Sequence, residues 1–268
     1  MFLHRLAALP GRAARSLARR IRSAGAQAGT RAATLAGCCP GGTLDTMYRT
    51  REAIGAVYLR GAGIEVGALH QPLRVPPEAV VTYVDRMSVA DLRSQYGDLV
   101  NVPLVEADVI DDGETLVTFA DTSQDFVIAN HFLEHCEDPI GALQTFFRVL
   151  KPGGVLYMVV PDKRFSFDVD RPCTAIEHII RDHVEGPASS RRAHFDEWTR
   201  LVNKCTDEAL AEEQTRHLMN INFSIHFHVW GASELLEFIT TWPRFVQLQL
   251  EVFMRNGPET ILVLRRTP

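Results

Sequence analysis

The stretch that most constrains the fold of this chain is residues 125–162, DFVIANHFLEHCEDPIGALQTFFRVLKPGGVLYMVVPD. An apolar run, a polar segment rich in His and Glu, an amphipathic stretch, a Lys-Pro-Gly-Gly turn and a second apolar run follow one another. Asp138 suits a helix N-cap and Pro139 the first helical position. The apolar positions then recur at helical spacing, at Ile140, Leu143, Phe147 and Leu150. The segment predicts a βαβ unit with polar side chains at the carboxyl end of its first strand, where open α/β sheets bind ligands.

Short apolar or β-branched runs on both sides of this unit predict the rest of a sheet. We expect strands at 64–66, 80–84, 104–107, 126–129, 155–160, 245–252 and 260–264. The first three end at Gly67, Asp85 and Asp108. Because helical stretches alternate with the first five strands, the fold class is α/β, with a doubly wound, mostly parallel sheet that the last two strands close as a hairpin.

Charge divides the chain near residue 44. Residues 1–44 contain seven arginines and no acid, and since the whole chain carries −5, the remainder is close to −12. Such an Arg/Ala-rich segment predicts a disordered or weakly helical leader, with a transit peptide or a surface-binding helix as the alternatives. We expect residues 45–268 to form the folded domain, with a helical substrate-side insertion at 163–225.

Composition disfavours several classes of function. An acidic body does not suit a nucleic-acid substrate, because phosphate neutralisation needs clustered Lys and Arg. No run approaches the roughly 18 apolar residues that a membrane span needs. Five cysteines, an odd number without a C-x-x-C pair, argue against a disulfide framework or a zinc ribbon. A reducing compartment fits best, so we predict a cytoplasmic location.

Several motifs together resemble the class I S-adenosylmethionine-dependent methyltransferases. Glu65-Val66-Gly67 is similar to the Glu-x-Gly that opens the family's first motif, Asp85 follows 20 residues after Glu65, and residues 125–162 resemble the fourth and fifth strands. The resemblance implies a seven-stranded, Rossmann-like fold and S-adenosyl-L-methionine as the cofactor. The first loop departs from Glu-x-Gly-x-Gly-x-Gly, because Ala68-Leu69-His70-Gln71-Pro72 follows Gly67 and two glycines are missing.

The resemblance also implies cofactor contacts at the end of each strand. Asp85 would accept the ribose hydroxyls, Asp108 with its neighbour would contact the adenine, and the residues past the fourth strand would contact the cofactor as well. The full expected set is Glu65, Gly67, Ala68, His70, Asp85, Arg86, Asp108, Val109, Asn130 and His131. We expect the carboxylates of Glu65, Asp85 and Asp108 to converge around one nucleoside. For Glu65, a structural carboxylate that holds the loop amides is the alternative.

The second half of the chain bears on the acceptor. Residues 163–230 resemble methyltransferases encoded among glycan-assembly enzymes, which share Val-Pro-Asp-Lys-Arg and a His-Phe-His-Val-Trp run. This implies O-methylation of a small-molecule or sugar-containing acceptor, and a hydroxyl needs a base to take its proton. The catalytic candidates are His226, then His131 and His228. In a strand, His226 and His228 would share one face, and a half-buried structural strand is the alternative reading of that run.

Metal binding and two other functions are weighed against this prediction. His178 and Asp182, four residues apart on a helix, could bind a metal together with His226 and His228, but no compact ligand spacing demands it, and we predict none. The altered glycine loop also permits a binding or scaffold protein that keeps the cofactor and lacks turnover. An NAD-dependent oxidoreductase needs G-x-G-x-x-G after the first strand, whereas Gly61-Ala62-Gly63 precedes it.

Overall fold

A computed structural model of the chain describes residues 44–96, 99–242, 245 and 247–267. The leader predicted at 1–44 lies outside the described residues except for its last position, Leu44, which begins a helix. Within the described residues, seven strands form one mixed sheet that helices cover on both faces. The predicted doubly wound α/β fold is therefore confirmed.

The sheet follows the order β3-β2-β1-β4-β5-β7-β6. Its strands are β1 (Gly61–Val66), β2 (Ala79–Asp85), β3 (Val109–Ile110), β4 (Gln124–Asn130), β5 (Leu150–Pro161), β6 (Leu248–Asn256) and β7 (Glu259–Arg266). Strand β7 runs antiparallel to both of its neighbours, and the other four pairings are parallel. The order reverses between β1 and β4, and ligands bind outside the carboxyl ends of the strands at such a switch point.

The helices are α1 (Leu44–Tyr58), α2 (Val89–Gln95), α3 (Pro139–Val149), α4 (Ile176–Glu185), α5 (Ala188–Glu197), α6 (Glu208–Asn220) and α7 (Ala232–Thr241). Shorter helical turns occupy Leu133–His135, Lys163–Phe165 and Trp198–Val202. Helix α3 begins as the sequence predicts, because the Asp138 carboxylate accepts from the Gly141 amide at 2.9 Å and Pro139 is its first residue. Helices α4, α5 and α6 lie where the sequence predicts a helical insertion.

The central strands are buried on both faces. In β4, Val127 and Ala129 pack into one core cluster, whereas Phe126 and Ile128 pack into the second. This continuous burial is typical of a parallel sheet between two layers of helices, and it leaves the strand ends as the positions where polar side chains reach solvent or a ligand. No helix among the described residues is both long enough and apolar enough to cross a membrane.

One predicted strand is misplaced, and the alternative reading of the His-Phe-His-Val-Trp run as a strand is not met. The third strand is predicted at 104–107 but lies at Val109–Ile110. The predicted segment does not pair with a strand there, since the amide of Val105 donates to the Leu69 carbonyl at 2.7 Å. The His-Phe-His-Val-Trp run is extended but unpaired within the described residues until Trp230, which makes a single bridge to Asp162. Apolar content alone cannot distinguish such segments from ladder strands, since the pairing partner is distant in sequence.

Candidate active site

A cavity of about 470 Å³ lies at the carboxyl ends of β1 to β4, beside the switch point. This volume falls in the range of roughly 300 to 1,000 Å³ that is usual for small-molecule sites. Its walls come from the strand ends, α2 and the segment before the His-Phe-His run. The lining residues are Val66, Gly67, Leu69, Asp85, Arg86, Leu92, Tyr96, Leu99, Asp112, Gly113, Glu114, His131, Phe132, His135, Glu137, Asn222, Phe223, Ser224 and Phe227.

The end of β2 supplies one acid and one base to this cavity. The Asp85 carboxylate accepts from the Met87 amide at 3.2 Å, and burial raises the pKa of Asp85. The Arg86 guanidinium donates to the Tyr96 hydroxyl at 2.5 Å and to the Asn222 carbonyl at 3.3 Å. Arg86 thus links the end of β2 to Tyr96 and Asn222 on the opposite wall of the cavity. Asp85 presents its carboxylate oxygens to the cavity.

Two glycines let the backbone approach the cavity closely. Gly67 has φ +68°, a left-handed conformation that favours glycine, and its amide donates to the Val84 carbonyl. At Gly113 a Cβ atom would lie 2.5 Å from side-chain atoms of both Phe132 and Val66, so only glycine fits there. The first loop therefore turns sharply despite having a single glycine in place of three.

Two acids after β3 line the cavity, and the sequence analysis missed both. The Glu114 carboxylate accepts from the amides of Glu137 and Asp138 at 3.0 and 3.1 Å, and burial raises its pKa to about 7. The Asp112 carboxylate accepts from the Glu114 amide at 2.9 Å. Because β3 starts later than predicted, the acids at its end are these and not Asp108. The Asp-Asp-Gly run directly after Val109–Ile110 is the signal that could have found them.

Other predicted cofactor residues do not line the cavity. Both Glu65 oxygens accept from the Leu73 amide, and burial raises the pKa of Glu65 to about 8, which matches the alternative role of holding the loop. The Asp108 carboxylate accepts from the Tyr83 amide at 2.8 Å and so extends the sheet edge. Val109 packs against the core, Ala68 forms a turn with Gln71, and His70 is exposed. Of the three acids expected to converge, the structure brings only Asp85 to the cavity.

A buried ion pair supports the end of β4. The Arg51 guanidinium and the Glu259 carboxylate make two hydrogen bonds, one of them at 2.7 Å, and both side chains are buried. His131, at φ +50°, directs Nε2 towards this pair, 2.9 Å from Arg51 Nη2 and 3.3 Å from Glu259 Oε2. Its Nδ1 lies 3.5 Å from Glu134 Oε1. The cavity wall at His131 thus connects α1 to β7.

The surroundings of His131 leave it no free lone pair. Burial lowers the pKa of this imidazole, but hydrogen bonds to Glu134 and Glu259 outweigh burial and raise the pKa to about 9. Arg51 has no acceptor atom, so its contact requires an unprotonated Nε2 and competes with this protonation. In one state Nε2 accepts from Arg51 and in the other it carries a proton. Neither state supplies a general base.

His226 has the environment of an oriented base. Its Nδ1 lies 2.7 Å from Asp168 Oδ2, and the other oxygen of Asp168 accepts from Arg171 at 2.8 Å. Burial raises the pKa of Asp168, but its contacts with His226 and Arg171 outweigh burial and lower it. An ionised Asp168 fixes a proton on Nδ1, which leaves Nε2 as the acceptor.

His135 lies between this pair and the cavity. Its ring meets the His226 ring edge-on at a centroid distance of 4.6 Å, and His135 itself lines the cavity. Its Nδ1 lies 2.9 Å from the Ile225 carbonyl and 3.0 Å from Ser224 Oγ. Burial and the neighbouring His226 lower the pKa of His135 to about 4, so this imidazole is neutral at neutral pH.

His228 lies apart from the cavity. Its Nδ1 donates to the Cys136 carbonyl at 3.0 Å, and its Nε2 faces Asp182 at 3.7 Å, within a cluster that includes His178 and His194. The predicted shared face of His226 and His228 is wrong, because the unpaired segment sends the two rings to different clusters. The four-residue metal set that includes His226 is therefore not assembled.

A second hollow, of about 590 Å³, lies outside the strand ends. Glu114, Arg148 and His183 line it, together with the solvent side of α3. Its walls contain no glycine turn that follows a strand. We therefore place the ligand in the cavity at the switch point, where strand ends supply convergent polar groups.

Residues 60–158 match a protein family described as "Methyltransferase domain". No curated protein matches the chain. The match spans β1 to β5 and thus includes the strand ends that form the cavity.

Solved structures resemble the chain at low identity. A methyltransferase from Thermotoga maritima, described as S-adenosylmethionine-dependent and as a possible histamine N-methyltransferase, is 14% identical with a TM-score of 0.42, over 83% of this chain and 88% of that one. A putative methyltransferase from Bacillus halodurans is 14% identical with a TM-score of 0.44, over 82% and 99%. A putative zinc-dependent alcohol dehydrogenase from Rhodobacter sphaeroides is 13% identical with a TM-score of 0.48, over 86% and 93%. At these values we draw nothing about activity from them.

The cavity fits the cofactor of such a domain. Asp85 ends the second strand, where a carboxylate can accept ribose hydroxyls. Asn130, at the end of β4, does not line the cavity, and both of its amide atoms are buried without a hydrogen-bond partner in the described part of the chain. S-adenosyl-L-methionine is the cofactor. Residues 60–158 thus match a methyltransferase domain, and the chain is an S-adenosylmethionine-dependent methyltransferase with a seven-stranded, Rossmann-like sheet.

Proposed function

We propose that this methyltransferase methylates a hydroxyl oxygen of a small, sugar-containing acceptor. The observation that supports an oxygen acceptor is the 2.7 Å contact between His226 Nδ1 and Asp168 Oδ2 beside the cavity. An alcohol must lose its proton when its oxygen is methylated, and an imidazole oriented by a carboxylate suits this task.

Groups at the strand ends would hold the cofactor. Gly67 allows the first loop to approach it, and Asp85 accepts from the ribose hydroxyls. Asp112, at the end of β3, takes the adenine-side role that the sequence assigns to Asp108. When bound, S-adenosylmethionine supplies an electrophilic methyl group, so the protein contributes mainly position and proton transfer.

The proton would move along the His226–Asp168 pair. Asp168 holds Nδ1–H of His226, an acceptor hydroxyl that reaches past His135 would give its proton to Nε2, and the carboxylate would stabilise the imidazolium that forms. Neutral His135 lies between the two and accepts a hydrogen bond from the acceptor through its own Nε2. His131 contributes a polar wall and not a base, which reverses the second choice made from the sequence.

The acceptor side of the cavity combines carboxylates with aromatic rings. Glu137 and Ser224 offer hydrogen-bonding groups, while Tyr96, Phe223 and Phe227 offer apolar faces. A sugar presents hydroxyls at its rim and an apolar face, so it matches both kinds of wall. This match, together with the resemblance of residues 163–230 to enzymes of glycan assembly, supports the sugar-containing acceptor.

We place the reaction in the cytoplasm. Cys136 and Cys173 form no disulfide within the described residues, which suits a reducing compartment. We propose that the seven arginines of residues 1–44 give a weak attraction to an anionic surface.

The test is methyl transfer from a labelled donor to sugars, nucleotide sugars, phenols and amines, with the methylated atom located by NMR. We expect an O-methyl product, and we expect His226→Ala and Asp168→Asn to lower kcat by about 100-fold or more at unchanged cofactor affinity. The matched control is His217→Ala, because His217 is exposed on α6. An N-methyl product, or full activity of His226→Ala, would refute the proposal.

A further inference from the structure

Four metal-ligating side chains meet outside the cavity, in the helical region after β5. His178 and Asp182 lie one turn apart on α4, His194 lies on α5, and His228 lies in the unpaired segment after α6. One ligand atom from each lies within 4.8 Å of the ligand atoms of all the others. Three chain segments that are distant in sequence thus direct their polar atoms to one point.

The spacing of these atoms matches a tetrahedral ion. Nitrogen and oxygen ligands lie about 2.0 to 2.2 Å from Zn²⁺, so two ligands at a tetrahedral angle lie about 3.3 to 3.6 Å apart. His178 Nε2 lies 3.0 Å from His194 Nε2 and 3.1 Å from Asp182 Oδ2. Asp182 Oδ2 lies 3.7 Å from the Nε2 atoms of His194 and His228. These distances fall on both sides of the tetrahedral value.

Two buried atoms of the cluster lack partners. Within the described residues, His228 Nε2 and Asp182 Oδ1 form no hydrogen bond, although both residues are almost completely buried. Leaving such groups unpaired costs about 1 to 3 kcal/mol each, so native proteins rarely do so without a ligand. The unpaired His228 atom faces the centre of the cluster.

Neighbouring groups orient two of the ligands. His228 Nδ1 donates to the Cys136 carbonyl at 3.0 Å, which places the free lone pair on Nε2, and Ser190 Oγ donates to Asp182 Oδ2 at 2.9 Å. Metal-binding histidines characteristically donate their other ring nitrogen to a carbonyl or carboxylate in this way. Both partners are fixed by the fold, so the orientation does not depend on an ion.

We propose that His178, Asp182, His194 and His228 bind one divalent transition-metal ion, for which Zn²⁺ is the best match. Three imidazole nitrogens and one carboxylate oxygen are ligands that Zn²⁺ takes in tetrahedral geometry. The set has four protein ligands and is separate from the cavity, so the ion has a structural role. It clamps α4 and α5 to the segment that carries His226, two residues before His228, and so fixes the position of the proposed base.

One contact must change when the ion binds. The Arg181 guanidinium lies 2.7 Å from His178 Nδ1 and donates to it, whereas a metal on Nε2 requires the proton on Nδ1. Arg181 is exposed and can turn to solvent. Arg181→Ala should therefore leave the metal affinity unchanged or raise it, whereas the loss of a ligand should lower it.

The test measures metal content by mass spectrometry of full-length protein that carries no polyhistidine tag. After incubation with Zn²⁺ or Co²⁺ and desalting, we expect about one equivalent per chain, and for Co²⁺ the intense visible bands of a four-coordinate ion. His194→Ala should reduce metal affinity by roughly 10- to 100-fold or more. Arg181→Ala, His217→Ala and His226→Ala should each retain the ion, and the last of these separates this cluster from the active-site histidines.

Two results would overturn the proposal. Less than about 0.1 equivalent in the wild-type protein after both metal additions, or full retention by His194→Ala, overturns the proposal. If His194→Ala does not fold, His228→Gln takes its place, because it keeps the hydrogen-bonding capacity of the ring position, and the Co²⁺ spectrum is then compared at equal far-ultraviolet circular dichroism. An unchanged spectrum in that variant overturns the proposal as well.

Discussion

Two carboxylates on adjacent strands differ in role because of the position that each holds along its strand. Asp85 leaves the end of β2 towards the cavity, whereas Glu65 precedes the last residue of β1 and is turned towards the Leu73 amide. Glu65 pairs with Tyr83 in the parallel register, so Glu65 and Asp85 point to the same face, and Asp85 reaches the cavity because it is the last residue of its strand. The identity of the amino acid alone does not reveal this difference.

At Asp85, the prediction concerns cofactor affinity. Asp85→Ala removes the acceptor for the ribose hydroxyls, and since a hydrogen bond to a charged group contributes about 1.5 to 3 kcal/mol, we expect cofactor Kd to rise by about 10- to 150-fold. Isothermal titration calorimetry measures it. Asp108→Asn is the matched control, because Asp108 binds the Tyr83 amide and lies outside the cavity, and unchanged affinity of Asp85→Ala would contradict the assignment.

At Glu65, the prediction concerns pH. Burial raises the pKa of Glu65 from the ordinary 4.5 to about 8, so between these values the folded protein binds more protons at this site than the unfolded chain. The contribution of Glu65 to stability is therefore fully present below pH 4.5 and is lost as the pH rises through 8. As the pH rises from 4.5 to 8.5, the free energy of unfolding of Glu65→Gln should increase by a few kcal/mol relative to that of the wild type. Urea denaturation at each pH measures this difference. A constant difference between the two proteins across this range would show that the group is not buried as described.

At the scale of elements, local signals predicted what short-range physics determines. Helix α3 follows its cap at Asp138, and its face at Ile140, Leu143 and Phe147 is buried as the spacing predicts. Strand β3 was misplaced because its pairing with β2 depends on a partner about 25 residues away, as the Asp108–Tyr83 contact shows. A propensity pattern contains no information about such a partner, so the acids at the end of β3 were missed as well.

For α3, we predict the cost of losing its cap. Asp138→Ala removes the acceptor for the Gly141 amide and should lower the free energy of unfolding by about 1 kcal/mol, within the usual 0.5 to 2. Because Asp138 Oδ2 also lies 2.9 Å from His183 Nδ1, His183→Ala serves as the control that removes only this second contact. If Asp138→Ala and His183→Ala lose the same free energy of unfolding, the hydrogen bond from the Gly141 amide contributes nothing.

At the scale of the whole molecule, long-range contacts complete the site. Gly67, Asp85, Arg86 and His131 follow their strands directly, and the sequence predicts them. Arg51 and Glu259 are 208 residues apart and meet only in the folded sheet, and His194 joins His178 across 16 residues and a second helix. No local pattern marks such residues, since their role is created by topology. The sequence therefore predicted the architecture and part of the cavity, but not the networks behind it.

For the Arg51–Glu259 pair, the prediction is strong coupling. Arg51→Met alone leaves a buried carboxylate without its partner and should destabilise the protein by about 3 to 5 kcal/mol. Adding Glu259→Gln removes that charge, so the double variant should be less destabilised than the sum of the two single variants. Urea denaturation of the four proteins gives the coupling energy. Additive effects would show that the pair does not act as a unit.

The contact of His131 with Glu259 also has a consequence for synthesis. During translation, β1 to β5 leave the ribosome before residue 259, so the nascent chain presents His131 beside Glu134 but without Glu259. The wall of the cofactor chamber is finished only when the terminal hairpin docks against β5. A chain that has not yet added β7 therefore presents His131 without the ion pair that supports it.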